Sequence, residues 1–401
     1  MPSSEIGADV FLHSSITLPT LLFWGSVALI FYTYIGYPLL LKFLVLFVDQ
    51  KHPAPTDNPT ITLMVCAHNE EQSIEAKLLN TLRLNYPQMK LQIIVASDGS
   101  TDATDTLVQS FSGRGVELVR IKHQVGKTQA QNIAMTHAWG DIIVFSDATT
   151  LYEPDALKLL AGNYADPAIG ACSGRYIYVD PAGRPSSGSG SKVFAGYDNA
   201  LRRLQSQVWS ITGCCGCIYS IRRRLYTPLE RDIISDFVQP LHVLKQGYRV
   251  KLEPRALAFE VTASTTRQEF SMRVRVIARA LAGLHSVSEL LMPWRRPWIA
   301  FQLWSHKLMR WLVPLMLLGI LVSSVLLAQL PFFRVVLLLQ LVFYAIALAA
   351  AAFSPPATWR ILHLPLYFCV INAAALVGLF QFVCGNRYVS WRPVREDSHA
   401  N

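Results

Sequence analysis

Two phosphate-binding loops are missing from this chain. It holds no G-x-G-x-x-G run and no G-x-x-x-x-G-K-[ST] run, which argues against a dinucleotide-dependent dehydrogenase and a P-loop NTPase. Any phosphate it handles must be held by side chains or by a metal. Charge is scarce as well: Asp, Glu, Lys and Arg make up 16% of the residues, against 52% hydrophobic ones. The Lys and Arg are spread out, with no basic helix and no aromatic RNA signature, so nucleic acid is a poor partner. Cysteine is sparse, at seven residues, and its spacing gives no extracellular disulfide framework. Cys214, Cys215 and Cys217 crowd too closely for a zinc knuckle, which needs two or more spacers between ligands. The cysteines read as reduced packing residues.

What the chain does have is long apolar runs. Residues 19–48 form one, with Lys42 as the only charge, and 311–330, 335–353 and 361–384 form three more. Each approaches the ~20 residues that cross a hydrocarbon core. The organisation expected is a tail (1–18), a transmembrane anchor (19–48), a globular domain (49–283), an interfacial amphipathic segment (284–310), three spans (311–384) and a C-terminal tail (385–401). The interfacial segment interleaves Trp294, Trp298, Trp304 and Trp311 with Arg295, Arg296, His306, Lys307 and Arg310, a pattern that seats a domain at the headgroups. Residues 311–384 carry no Asp, Glu or Lys, and no Arg or His except Arg334, Arg360 and His363, too few for a transporter's coupling site.

Residues 49–307 contain 29 of the 36 Lys and Arg and 23 of the 27 acids, a basic surplus of six, whereas 1–18 have no Lys or Arg. The positive-inside tendency places the middle domain in the cytoplasm of an integral, inner-membrane protein. Three C-terminal spans would then leave the tail outside, against which Arg387, Arg392 and Arg395 argue.

Within the globular domain, apolar strands alternate with helical spacing: strands at 60–66, 91–98, 116–121 and 142–145, helices at 72–84, after 100, and from 127 through 138. Such alternation marks a parallel α/β sheet. Two strands end on a carboxylate, Asp98 and Asp147. A strand-end carboxylate points into the crevice where open α/β sheets bind ligands, although alone it serves equally as a turn or cap residue. Lys127 opens a helix, where the dipole disfavours a cation and an anionic neighbour is expected. Residues 185–191 are Ser- and Gly-rich and read as a loop.

The ordered motifs AHNE (67–70), SDGSTD (97–102), Gly126-Lys127 with Asn132, FSDAT (145–149), TGCCGC (212–217) and SDF (235–237) resemble a membrane-integrated family 2 glycosyltransferase, inverting and nucleotide-sugar dependent. The resemblance implies a GT-A, Rossmann-like α/β catalytic domain with one N-terminal and about three C-terminal transmembrane helices. By it, His68, Asn69, Glu70, Asp98, Lys127 and Asn132 hold the nucleotide, UDP by expectation, with Arg275 clamping the diphosphate. Asp147 would bind Mg2+ or Mn2+, and Asp236 would be the catalytic base. Cys214, Cys215 and Gly216 would floor the acceptor pocket, the acceptor being a lipid, lipid-linked sugar or growing polysaccharide. Thr149 stands where the family's second metal carboxylate belongs. Met272 and Val276 stand where processive synthases carry Gln and Trp, which favours single transfer over a processive polysaccharide synthase. A non-catalytic assembly subunit of the same fold is the other alternative.

Overall fold

A computed structural model describes residues 4–48, 58–179, 190–261, 266–353 and 360–388 of the chain. The expected 185–191 loop lies outside them up to residue 189, as do Arg392, Arg395 and residues 49–57. One eight-stranded sheet organises the globular part: β1 (Ile61–Ala67), β2 (Leu91–Asp98), β3 (Val116–Ile121), β4 (Ile142–Asp147), β5 (Thr150–Tyr152), β6 (Ile169–Val179), β7 (Ile218–Arg222) and β8 (Arg249–Val261), in the order β3-β2-β1-β4-β7-β6-β8-β5.

The first four strands are parallel, with Leu63 beside Ile93 on one side and Val144 on the other. β1 is buried along its whole length. An uninterrupted apolar run suits a strand covered on both faces. One apolar layer packs Phe145, Tyr219, Leu241 and Leu284 together, and the other packs Leu63, Leu78, Val95 and Leu157. The sheet is therefore the middle layer of a sandwich. The four strands read from the sequence are thus parallel, and beyond β4 the sheet is mixed: β7 runs antiparallel to β4 and β6, and β5 antiparallel to β8. Helices still separate the strands after residue 150, so the alternation that reads parallel does not disclose that β7 and β5 run against their neighbours.

The sheet order reverses direction at β1 and β4, the switch point at which doubly wound sheets open a ligand crevice. Asp98 ends β2 and Asp147 ends β4, beside Cys66. The turn after Asp98 needs Gly99: its φ is +66°, and a Cβ there would lie 2.5 Å from the Gln124 nitrogen. No other residue type fits so close a backbone crossing in that conformation.

Four helical stretches are long and apolar enough to cross a membrane: Thr17–Val45, Pro297–Leu326, Pro331–Phe353 and His363–Val383. The first helix begins at Ser4, inside the expected tail. The expected interfacial segment divides. Trp294 and its neighbours are exposed, whereas residues from Pro297 onward belong to the second span stretch. Two of these stretches contain a π-turn, Tyr32–Gly36 and Leu303–Leu308. The turns face each other, joined by Tyr32 Oη and Ser305 Oγ at 2.6 Å. A π-turn inserts one residue into a helix and re-aims its neighbours, often at functional sites.

Candidate active site

The site is assembled from the turns after β1, β2 and β4, the start of the helix Lys127–Ala134, the loop before β7 and the start of the helix Ser235–Lys245. Lys127 Nζ donates to Asp147 Oδ1 and reaches the Gly216 carbonyl at 3.4 Å. The anionic neighbour that a lysine at a helix start calls for is thus Asp147. Burial works against the Lys127 charge, but Asp147, Cys66 and Asp236 outweigh it and hold the ammonium above its ordinary range.

Gly216 connects this pair to Asp236. A Cβ at Gly216 would lie 2.5 Å from Asp236 Oδ2, so the carboxylate rests on the glycine's Cα. The Cys214 amide donates to the Asp236 carbonyl at 2.9 Å. Asp236 occupies the first turn of its helix, two residues after the N-cap Ile234. Its carboxylate forms no hydrogen bond or ion pair among the described residues. Burial raises its pKa; Lys127 and Arg202 pull it down, Asp147 pushes it up again, and Arg279 pulls it down. A free carboxylate with a raised pKa suits proton abstraction.

The residues expected at the nucleoside divide into groups. His68 Nδ1 pairs with the Asp98 carbonyl at 2.6 Å, and the Asn69 and Glu70 amides donate to Ser100 Oγ and Thr104 Oγ1. Asn69, at φ 51°, accepts from the Thr101 amide through Oδ1. The turns after β1 and β2 are laced into one floor. The Asp98 carboxylate accepts from the Val125 and Gly126 amides at 2.7 and 2.8 Å and is 1% exposed. It fixes the loop that delivers Lys127. Asn132 lies on the helix that Lys127 opens. Its amide donates to Gln129 Oε1 and the Leu229 carbonyl and accepts from Tyr226 Oη and the Leu229 amide. With every donor and acceptor used, it braces residues 226–229.

Of the acceptor-pocket residues, Cys214 and Gly216 are at the site. Cys215 is not: it packs in the opposite apolar layer, 3.3 Å from the Cys217 thiol. All seven cysteines are free. Arg275 is half-buried and without a partner among the described residues, on the helix Thr266–Ser286. Burial lowers its pKa. Arg279, one turn further, is seated on the Asp232 and Ile233 carbonyls.

Three features were not legible in the sequence. Lys77 is fully buried, donates to the Thr150 carbonyl at 2.6 Å and lies 4.0 Å from the Tyr152 ring. Burial pushes it down to about 7. It holds the turn that carries Asp147, but reads as an ordinary helix-surface lysine. Glu260, cross-strand from Thr150, is pushed up to about 7 by burial and then by Asp147. The third is a cavity of about 310 Å3 between the sheet domain and the span helices, onto which Gly213, Cys214 and Asp236 open. Helix contacts far apart in sequence create it, so no local motif announces it.

The residues around Asp147 bear on a metal directly. Among the described residues no three His, Cys, Asp or Glu gather as a metal site. Asp147 offers one carboxylate, 22% exposed and shared with Lys127. That set fits a hard divalent ion taking its remaining ligands from water and a diphosphate, and does not fit a site that holds an ion unaided.

Comparisons with known proteins place this geometry. Residues 62–228 match the family model for glycosyl transferase family 2, the family that the ordered motifs resemble. It is 27% identical over 227 residues to a poly-beta-1,6-N-acetyl-D-glucosamine synthase of Staphylococcus aureus strain COL, covering 54% of this chain and 53% of that one. It is 26% identical over 232 residues to the probable glycosyltransferase YdaM of Bacillus subtilis strain 168, covering 54% of each. The chain thus spans about half the length of the curated relatives it matches. The mannosyltransferase PcManGT of Pyrobaculum calidifontis, solved with GDP-Man and Mn2+, shares the fold at a TM-score of 0.66 and 24% identity, over 92% of this chain and 100% of that one.

Proposed function

We propose that the protein is a membrane-integrated inverting glycosyltransferase, moving one sugar per encounter from a nucleotide-diphosphate sugar, UDP-linked, to an acceptor presented from the bilayer. The observation that carries this reading is the position of Asp236: an unpaired carboxylate between the Lys127–Asp147 pair and a cavity bordered by span helices. The catalytic domain is read as cytoplasmic, where nucleotide sugars are made available. Single transfer is supported by Val276, which lines the cavity where a processive enzyme would present Trp.

In this reading Asp236 takes the proton from the acceptor hydroxyl as its oxygen attacks the anomeric carbon. The new C–O bond forms on the face opposite the breaking bond to phosphate, and the nucleoside diphosphate leaves with the electron pair. Lys127 holds a positive charge beside the departing group, and Arg275 supplies a second unpaired cation. A divalent ion bound at Asp147 would neutralise charge on the diphosphate. Gly216 lets Asp236 sit against the loop without a side chain between base and acceptor.

The test is release of nucleoside diphosphate from a panel of nucleotide sugars, with and without Mg2+ or Mn2+. We expect metal-dependent release, and in Asp147→Ala a donor affinity equal with and without metal by calorimetry. Wild-type affinity indifferent to metal would remove Asp147 from the role. The pH profile adds a second check. Asp236 works ionised, and its raised pKa means that kcat/KM declines with acid at a higher pH than an ordinary carboxylate, ~3.9, would dictate. A rate unchanged down to that value would contradict the assignment.

A further inference from the structure

The cavity beyond Asp236 is charged in a way that sugar hydroxyls do not require. Arg202, Arg273, Lys307 and Arg310 line it against only two carboxylates, Asp198 and Asp236. Asp198 is consumed internally: Arg202 Nε and Arg310 Nη1 each lie 2.8 Å from it, and His306 Nε2 lies at 3.1 Å. Arg273 is engaged by Glu269 at 2.9 Å. Lys307 remains. Its ammonium forms no hydrogen bond or ion pair with the described residues and hangs 5.8 Å from the Phe237 ring, next in sequence to Asp236. The two π-turns border this space, contributing Tyr34 from one and His306 and Lys307 from the other.

The opposite wall is apolar. Val276, Ile277, Ile371 and Ala375 form it, and the last two belong to the span stretch His363–Val383. A cationic head region joined to an apolar wall that continues into a span is complementary to an anionic amphiphile. The donor's diphosphate is served elsewhere, at Lys127 and Asp147, so the cations around Lys307 are surplus to it.

Resting on the glycosyltransferase reading, we infer that this cavity binds the phosphate of a lipid-phosphate acceptor, with Lys307 as the group that contacts it and Arg310 and Arg202 as its supporting field. The chemistry is a sugar joined through a diphosphate to an isoprenoid or acyl chain. The chain lies along Ile371 and Ala375, the phosphate meets Lys307, and a hydroxyl of the carried sugar faces Asp236 and gives it the proton. A surplus cation near an apolar wall costs stability unless an anion uses it.

The test uses the full chain in detergent or nanodiscs and titrates farnesyl phosphate, farnesol and inorganic phosphate, read by the fluorescence of Trp311, which lines the cavity. Farnesyl phosphate should bind more tightly than either fragment. Lys307→Gln should weaken it by about tenfold or more, the loss expected for a charge-assisted contact, with farnesol unaffected and Lys307→Arg restoring binding. UDP should not displace it, and KM for the donor should be unchanged in Lys307→Gln. Equal binding of farnesol and farnesyl phosphate, an unaltered Lys307→Gln, equal binding of inorganic phosphate, or displacement by UDP would each overturn the inference. The glycosyltransferase reading fails by a different measurement, absence of nucleoside diphosphate release from every donor. A neutral alkyl glycoside accepting sugar as well as a lipid-diphosphate-linked sugar leaves that reading intact and sinks this one.

Discussion

Replacing Asp236 by Asn should lower kcat by about 10^2–10^4, the range a positioned general base contributes, while nucleotide affinity stays near wild type. Asn keeps the size of the side chain, so its contact with the Gly216 Cα survives, and no hydrogen bond is lost because the carboxylate makes none among the described residues. The effect therefore falls on chemistry and not on assembly. In the proposed reading the donor is held by other groups, at Lys127, Asp147 and the turns after β1 and β2. Single-turnover rates with calorimetry of the nucleoside diphosphate check both halves. A variant that keeps more than about a tenth of its turnover has another base. The acid limb in kcat/KM should vanish with the carboxylate, since Asn does not titrate.

The part of this site that the sequence discloses is the part made by short segments. A strand-end aspartate is a local event: an apolar run stops on a carboxylate at the carboxyl edge of the sheet. The bounds of β2 and β3 match the expected strands, and Asp98 and Asp147 stand at strand ends as expected. The direction of a side chain at the strand end is not local. Asp98 and Asp147 look alike in sequence, yet the first turns inward because the 125–126 amides need an acceptor, and the second turns out to meet Lys127. Asn132 shows the same dependence on packing. A helix-surface amide reads as available, and only the packing of residues 226–229 against it uses up its capacity. Cys214 and Cys215 are neighbours in sequence that face opposite layers of the sandwich.

The spans were legible from length and composition, but not the cavity that they close. His306, Lys307 and Arg310 alternate with Trp as an interfacial segment does, and composition alone assigns them to headgroups. The π-turn at Leu303–Leu308 rotates them toward Asp198 and Asp236 instead. Periodicity at 3.6 residues cannot foresee an inserted residue. Lys77 shows the same limit in the core: its stem packs with the apolar helix face, and its ammonium is satisfied only by a carbonyl from 73 residues away.

The largest effect on stability is expected at Asp198. Burial opposes its charge, but Arg202, His306, Lys307 and Arg310 outweigh burial and hold its carboxyl well below the usual range. Asp198→Ala leaves Arg202 and Arg310 facing each other without a counter-charge in a half-closed cavity, a loss of about 3–5 kcal/mol for a broken buried pair. Thermal unfolding in detergent should register it, and an unchanged midpoint would show that the cluster is solvated. The pH dependence follows from the depressed pKa. The Asp198 contribution is present above the unfolded value, ~3.9, and is lost as pH falls through the lower folded value. Wild type should lose stability across that window and Asp198→Asn should not. Asp198→Asn should also bind farnesyl phosphate more tightly than wild type, because the same cations then face one anion fewer. The ligand should recover part of the lost stability by mass action. A destabilised variant that binds its anion better separates the two roles of the cluster. Asp198 keeps the cations tolerable within the fold, and what it leaves uncompensated is the charge that the acceptor's phosphate would meet.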